Sequence, residues 1–128
     1  MMRLALVALG GALGSTLRYL VATAAVAWLG PTFPWGTLAV NLVGSFLIGL
    51  LQSLAVESLV ISEEARLFLS TGIMGGLTTY SAFSYETVRL AETGAWTAAW
   101  ANVLLTTAAC LALCLLGLTI GRVLFAPR

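Results

Sequence analysis

The stretch Thr71-Gly72-Ile73-Met74-Gly75-Gly76-Leu77-Thr78-Thr79-Tyr80-Ser81-Ala82-Phe83-Ser84-Tyr85-Glu86 carries the most informative chemistry in this chain. Paired glycines followed by paired β-branched threonines are poor helix material. The stretch therefore reads as a helix broken in its middle, although a simple packing kink would leave the same trace in sequence. A break frees backbone carbonyls, which can bind a cation, and N–H groups, which can bind an anion. Beyond it, Tyr80, Phe83 and Ser84 fall at i, i+3 and i+4 and share a face. The edge of an aromatic ring carries the positive part of its quadrupole. A ring edge beside hydroxyls is a surface for a small, hard anion.

Other polar residues stand in apolar surroundings. Asn41 offers two amide donors and one acceptor. It either bridges two helices or faces a cavity, where its NH2 group could replace water around an anion. Asn102, Thr106 and Cys110 lie four apart on one stripe, with Thr107 and Cys114 beside it. That line reads as a polar track or as hydroxyls bonded to their own backbone. Arg18 sits midway along an otherwise uncharged run. Its guanidinium either snorkels to an interface or forms a fixed positive charge in a vestibule, raising the local anion concentration.

The absences narrow the chemistry. There is no His, Asp or Lys, so the usual general base and metal ligand are missing. Cys110 and Cys114 lie in an apolar run, away from the charged groups that activate a catalytic thiol. An enzyme is the least favoured class. Nucleic-acid binding is excluded by a net charge of +1 and six scattered Arg.

The elements that must position these residues are membrane helices. The chain has 128 residues, 60% hydrophobic and only 9% charged, with a mean hydropathy of +1.03. A soluble domain carries roughly 25% charged residues, so this chain cannot coat a soluble surface. A span needs roughly 20 apolar residues. Four such segments fit, at about 4–29, 35–56, 67–90 and 94–121, in a single domain over 1–128. Gly30-Pro31 separates the first two, and Glu57 to Arg66, rich in charge, reads as a loop. Four spans put both termini on one side, with Arg3, Arg66, Arg122 and Arg128, against Arg89 on the other. That bias favours cytoplasmic termini. Gly10, Gly11 and Gly14 in the first span and Gly44, Ser45 and Gly49 in the second allow close helix packing. Four thin helices enclose little space, so a homo-oligomer is expected.

Two other classes weigh in. A small multidrug-type exporter is also a dimer of four short helices, but it needs a membrane-embedded carboxylate, and no Asp or Glu occurs in the first 56 residues. A membrane scaffold would use the glycines but leaves the polar stripes and the break without a purpose.

These residues resemble the fluoride channels of the CrcB, or Fluc, family. The resemblance rests on Gly10-Gly11-Ala12-Leu13-Gly14 with Arg18-Tyr19, on Trp35-Gly36-Thr37 with Asn41-Leu42-Val43-Gly44-Ser45-Phe46, and above all on Gly75-Gly76-Leu77-Thr78-Thr79-Tyr80-Ser81-Ala82-Phe83-Ser84 through Glu86. It covers essentially the whole chain. It implies an all-α membrane protein with four transmembrane helices, the third broken at mid-membrane. It also implies an antiparallel, dual-topology homodimer in the cell (inner) membrane, exporting fluoride to relieve its toxicity. A structural, untransported Na+ at the dimer centre would be held by the main-chain carbonyls of Gly75 and Thr78. Two carbonyls from each chain suit a hard cation. The implied fluoride path is Asn41, Thr79, Tyr80, Ser81, Phe83 and Thr106, with Arg18 and Glu86 at the vestibules. The chain departs from the family pattern at three points: Tyr80 replaces a common Phe, Ala82 a common Thr, and Cys110 a hydroxyl.

Overall fold

The computed structural model describes residues 1–57 and 61–125. These residues form helices and no strand. Helix α1 spans Met2–Leu29 and α2 spans Trp35–Glu57. Helix α3 covers residues 63–77, with an opening turn Glu63–Arg66, a π-helical stretch Leu67–Met74 and a closing turn Gly75–Leu77. Helix α4 spans Tyr80–Glu92. Helix α5 runs over Trp96–Phe125, with a π-helical insert Leu105–Ala109. Among the described residues three helices are long and apolar enough to cross a membrane: Met2–Leu29, the Trp35–Ala55 part of α2, and Trp96–Phe125. The segment expected over 67–90 is divided between α3 and the 13-residue α4, so no one helix there has that length.

One stretch expected as loop differs from the sequence reading. Glu63–Arg66 is helical, although charge marked it as loop. Ser62 caps that turn, its side chain accepting from Ala65 N at 3.2 Å, and Glu63 and Glu64 stand where the helix dipole favours negative charge. The Arg3 guanidinium also donates to Glu63 Oε2 at 2.9 Å, tying the start of α1 to the start of α3. Arg128, counted with the termini, lies outside the described residues.

Glycine decides which helices meet. A Cβ on Gly10 would lie 2.5 Å from the Phe68 carbonyl oxygen and 2.9 Å from Gly72 Cα. Gly14 stands in the same way against Ile73 and Leu77, so α1 and α3 run parallel in backbone contact. Helices α2 and α5 pair similarly, Gly49 against Cys114 and Gly121 against Ser53, with the order of contacts again parallel. Lipid gives no hydrophobic force between helices, so such close approach holds the bundle together.

The interior is small and as polar as it is apolar. Leu38, Val40, Met74, Leu77, Phe83 and Ala99 are buried, and so are Thr37, Asn41, Ser53, Thr79, Asn102 and Thr106. Large apolar side chains such as Leu9, Trp28, Leu111 and Leu115 stand more than half exposed. A soluble protein arranges these the other way round; a bundle in lipid has no reason to.

Candidate functional site

The site is built around two extended residues. Thr78 has φ −76° and ψ 153°, and Thr79 has φ −152° and ψ 116°. Gly75 and Gly76, expected to share in the break, remain helical, with Gly75 at φ −62° and ψ −36°. Gly76 serves packing instead: a Cβ on it would lie 2.5 Å from the Gly11 carbonyl oxygen. The β-branched threonines take the extended conformation that suits them.

Asn41 satisfies the interrupted backbone. Its Oδ1 accepts from Thr79 N at 2.8 Å, and its Nδ2 donates to the Thr79 carbonyl at 3.1 Å. In a continuous helix the Thr79 N–H would serve the Gly75 carbonyl. Here it is diverted, and the Gly75 carbonyl loses that donor. Thr79 also caps α4, its Oγ1 accepting from Ala82 N at 3.2 Å and lying 3.2 Å from Ser81 Oγ. Thr78 fits because its methyl group fills the space that a side chain on Gly44 would take.

A cavity of about 320 Å³ opens beside this junction. Asn41, Thr79, Tyr80, Phe83 and Thr106 all line it, with Ser45, Thr78, Thr107, Cys110 and Leu111. No carboxylate does. Ser81 does not line the cavity and reaches it only through the Thr79 hydroxyl. The rings of Tyr80 and Phe83 are tilted by 54° with centroids 5.4 Å apart. Phe83 is buried, whereas Tyr80 is 80% exposed.

A relay of hydrogen bonds supports the wall. Thr106 Oγ1 donates to Asn102 Oδ1 at 3.3 Å, Asn102 Nδ2 donates to Thr87 Oγ1 at 2.9 Å, and Thr87 Oγ1 donates to the Phe83 carbonyl at 2.7 Å. Asn102 is the most buried of the large side chains, and it holds α5 to α4 without lining the cavity. Thr87 is absent from the sequence reading. Its position four residues after Phe83, on one helix face with it, was the available signal.

The vestibule candidates separate. Thr37 Oγ1 donates to Glu86 Oε1 at 2.7 Å. Glu86 lines a larger cavity of about 640 Å³ together with Thr32, Tyr85, Arg89 and Thr93. Arg18 is half-buried on α1 and lines neither cavity. It makes no hydrogen bond or ion pair among the described residues. Gly75 and Thr78 line a third space, of about 270 Å³, with Gly44, Ser45, Ile48, Ser70 and Met74. Among the described residues no His, Cys, Asp or Glu cluster could hold a metal, so main-chain and hydroxyl oxygens are the donors on offer.

A family model described as CrcB-like protein, Camphor Resistance (CrcB), matches residues 5–118. A fluoride-specific ion channel FluC of Agrobacterium fabrum is 51% identical over 125 residues, 98% of this chain and 100% of that protein. Proteins of the same name from Magnetococcus marinus and Sorangium cellulosum are 45% and 46% identical, over 96% and 94% of this chain and 100% and 94% of their own.

Proposed function

The chain belongs to the CrcB family, whose members are channels and not enzymes, and on that premise we propose that it is a fluoride-selective channel of the cell membrane that lets fluoride leave the cell and relieves its toxicity. The observation that carries this reading is the cavity where Asn41, Thr79, Thr106 and Phe83 converge without a carboxylate. Fluoride is small and strongly hydrated. A path that strips its water must offer donors at close range. Only one Asn41 amide hydrogen is used by the Thr79 carbonyl, which leaves the second for an anion. The paired hydroxyls of Thr79 and Ser81 and the ring edges of Phe83 and Tyr80 complete the set, while the Thr106 hydroxyl, whose proton goes to Asn102, lines the wall. Glu86 and Arg89 border the wider mouth, and Arg18 lends positive potential from α1.

The channel is an antiparallel, dual-topology homodimer with the break of α3–α4 at mid-membrane. Support comes from Gly75: an exposed glycine beside the break suits close contact with a second chain. The main-chain carbonyls of Gly75 and Thr78 from both chains would hold a structural Na+. The donor set fits it. The Gly75 carbonyl has lost its helical donor, Thr78 is extended so its carbonyl leaves the helix direction, and a Cβ on Gly75 would meet nothing closer than the Ser70 carbonyl oxygen at 4.0 Å. Bound there, the ion neutralises converging carbonyl dipoles. The residues of this chain hold it and do not pass it on.

The deciding experiment is fluoride efflux from liposomes that hold the purified protein, read with a fluoride electrode beside a chloride control. Rapid fluoride loss with chloride retained is expected. Chloride loss at a similar rate would remove the selectivity claim.

A further inference from the structure

The space of about 270 Å³ beside Gly75 is distinct from the cavity lined by Asn41 and Phe83, but Ser45 and Thr78 line both. The two spaces therefore share a wall built from hydroxyl-bearing residues. Ser70 lines the smaller one alone. Its Oγ is buried and has no hydrogen-bond partner among the described residues. Several helical hydroxyls in this chain are satisfied locally: Thr16, Thr23, Ser84, Thr87 and Thr119 each donate to the carbonyl four residues back. Ser70 lies within the π-helical stretch Leu67–Met74, where the winding that offers a hydroxyl that carbonyl is altered. A buried hydroxyl left unpaired is costly, and buried water is the common remedy where a space is polar and roomy enough. This space has room for more than one water, whose share of liquid volume is about 30 Å³.

We propose that the space between Ser70 and Ser45 is a hydration site, in which water held by the Ser70 hydroxyl and shared with Ser45 forms the outer layer around the cation at Gly75 and Thr78. The inference rests on the cation reading above. It gives Ser70 a positioning role: its hydroxyl orients water, and the water steadies the carbonyls that face the ion. It also gives the anion cavity and the cation a common polar wall at Ser45 and Thr78.

The test is thermal unfolding of the purified full-length protein in detergent, titrated with NaCl at an ionic strength held constant by a bulky organic chloride. The wild type should gain stability with Na+. Ser70→Ala should raise the Na+ concentration at half-effect by about tenfold, the low end for loss of an outer partner at a metal site. Ser70→Thr, which keeps the hydroxyl, should restore most of it, and Ser45→Ala should shift the midpoint in the same direction. If Ser70→Ala does not fold, Ser45→Ala carries the test. A Na+ response in which neither alanine variant moves the midpoint overturns the hydration site and leaves the cation reading intact. A weaker dimer with an unmoved midpoint overturns it too, because Ser70 then contacts the second chain directly. A wild type blind to Na+ removes the cation reading and the hydration site with it.

Discussion

Asn41 grips the backbone of Thr79 from both sides: Oδ1 takes its N–H at 2.8 Å and Nδ2 gives to its carbonyl at 3.1 Å. One amide on α2 thus replaces the ladder that the junction between α3 and α4 lacks, while the same residue lines the cavity. Bridging and cavity lining were alternatives in sequence. In the fold they are one arrangement.

Asn41→Leu strands both Thr79 groups in a buried site. Each unpaired group costs about 1–3 kcal/mol, and about 1.4 kcal/mol is a factor of ten. Fluoride efflux from liposomes should fall by about tenfold or more, with a dimer still present on size exclusion in detergent. Asn41→Asp keeps the acceptor for Thr79 N–H but adds negative charge to an anion path, so it should also conduct poorly. Wild-type efflux from Asn41→Leu would reduce Asn41 to a helix clasp.

Gly10 and Gly11 are neighbours that sequence cannot rank. The structure separates them: a Cβ on Gly10 would lie 2.5 Å from the Phe68 carbonyl oxygen, and one on Gly11 would meet nothing within 4 Å. Gly10→Ala should destabilise by about 1–3 kcal/mol, the usual range for overpacking. Gly11→Ala should be neutral or slightly stabilising, since Ala is the better helix former. Melting in detergent distinguishes them, and equal melts would mean that the α1–α3 contact yields more easily than a backbone contact should.

The membrane class was legible because composition and hydropathy report burial in lipid directly, and long apolar helices stand at three of the four expected spans. The vicinity of the interruption was legible for the same reason that its centre was not. Gly75-Gly76 and Thr78-Thr79 are both weak helix formers, but Gly76 is committed to contact with α1, which leaves the extended turn to the threonines. Arg18 illustrates the remaining limit. Its depth follows from counting, but which neighbour a half-buried side chain on α1 faces depends on how helices rotate against one another. Thr87 and Ser45 were overlooked or taken as packing because their roles depend on partners from other helices.

Orientation can be tested through the ends of the chain. The expected four passes would put Arg3, Arg66 and Arg122 at one end and Arg89 at the other. An antiparallel dimer needs both insertions. In a background with Cys110→Ser and Cys114→Ala, a single cysteine placed after Met1 should react with an impermeant maleimide in about half of the chains in intact cells. Labelling of all chains or of none would mean one orientation, as the Arg bias favours.

The last prediction concerns the ion at the break. Gly75 and Thr78 are assigned to it through main-chain carbonyls, so side-chain chemistry should matter only through shape. Thr78→Ser keeps the carbonyl and should keep both Na+-dependent stability and fluoride efflux. Gly75→Val should weaken both, though not through a backbone conformation reserved for glycine, because Gly75 is an ordinary helical residue at φ −62°. The damage should come from a branched side chain projecting from an exposed position into the face where a second chain would sit. Gly75→Ala, with one carbon, should fall between. In the proposed reading the ion is structural: its donors are uncharged main-chain oxygens, and Gly75 lines only the space beside the cavity of Asn41 and Phe83, with Thr78 on the wall between the two. Fluoride efflux should therefore run at the same rate with equal Na+ on both sides, and radiolabelled Na+ should stay where it was placed. Radiolabel that leaves in step with fluoride would make the protein a symporter, and the channel reading would fail.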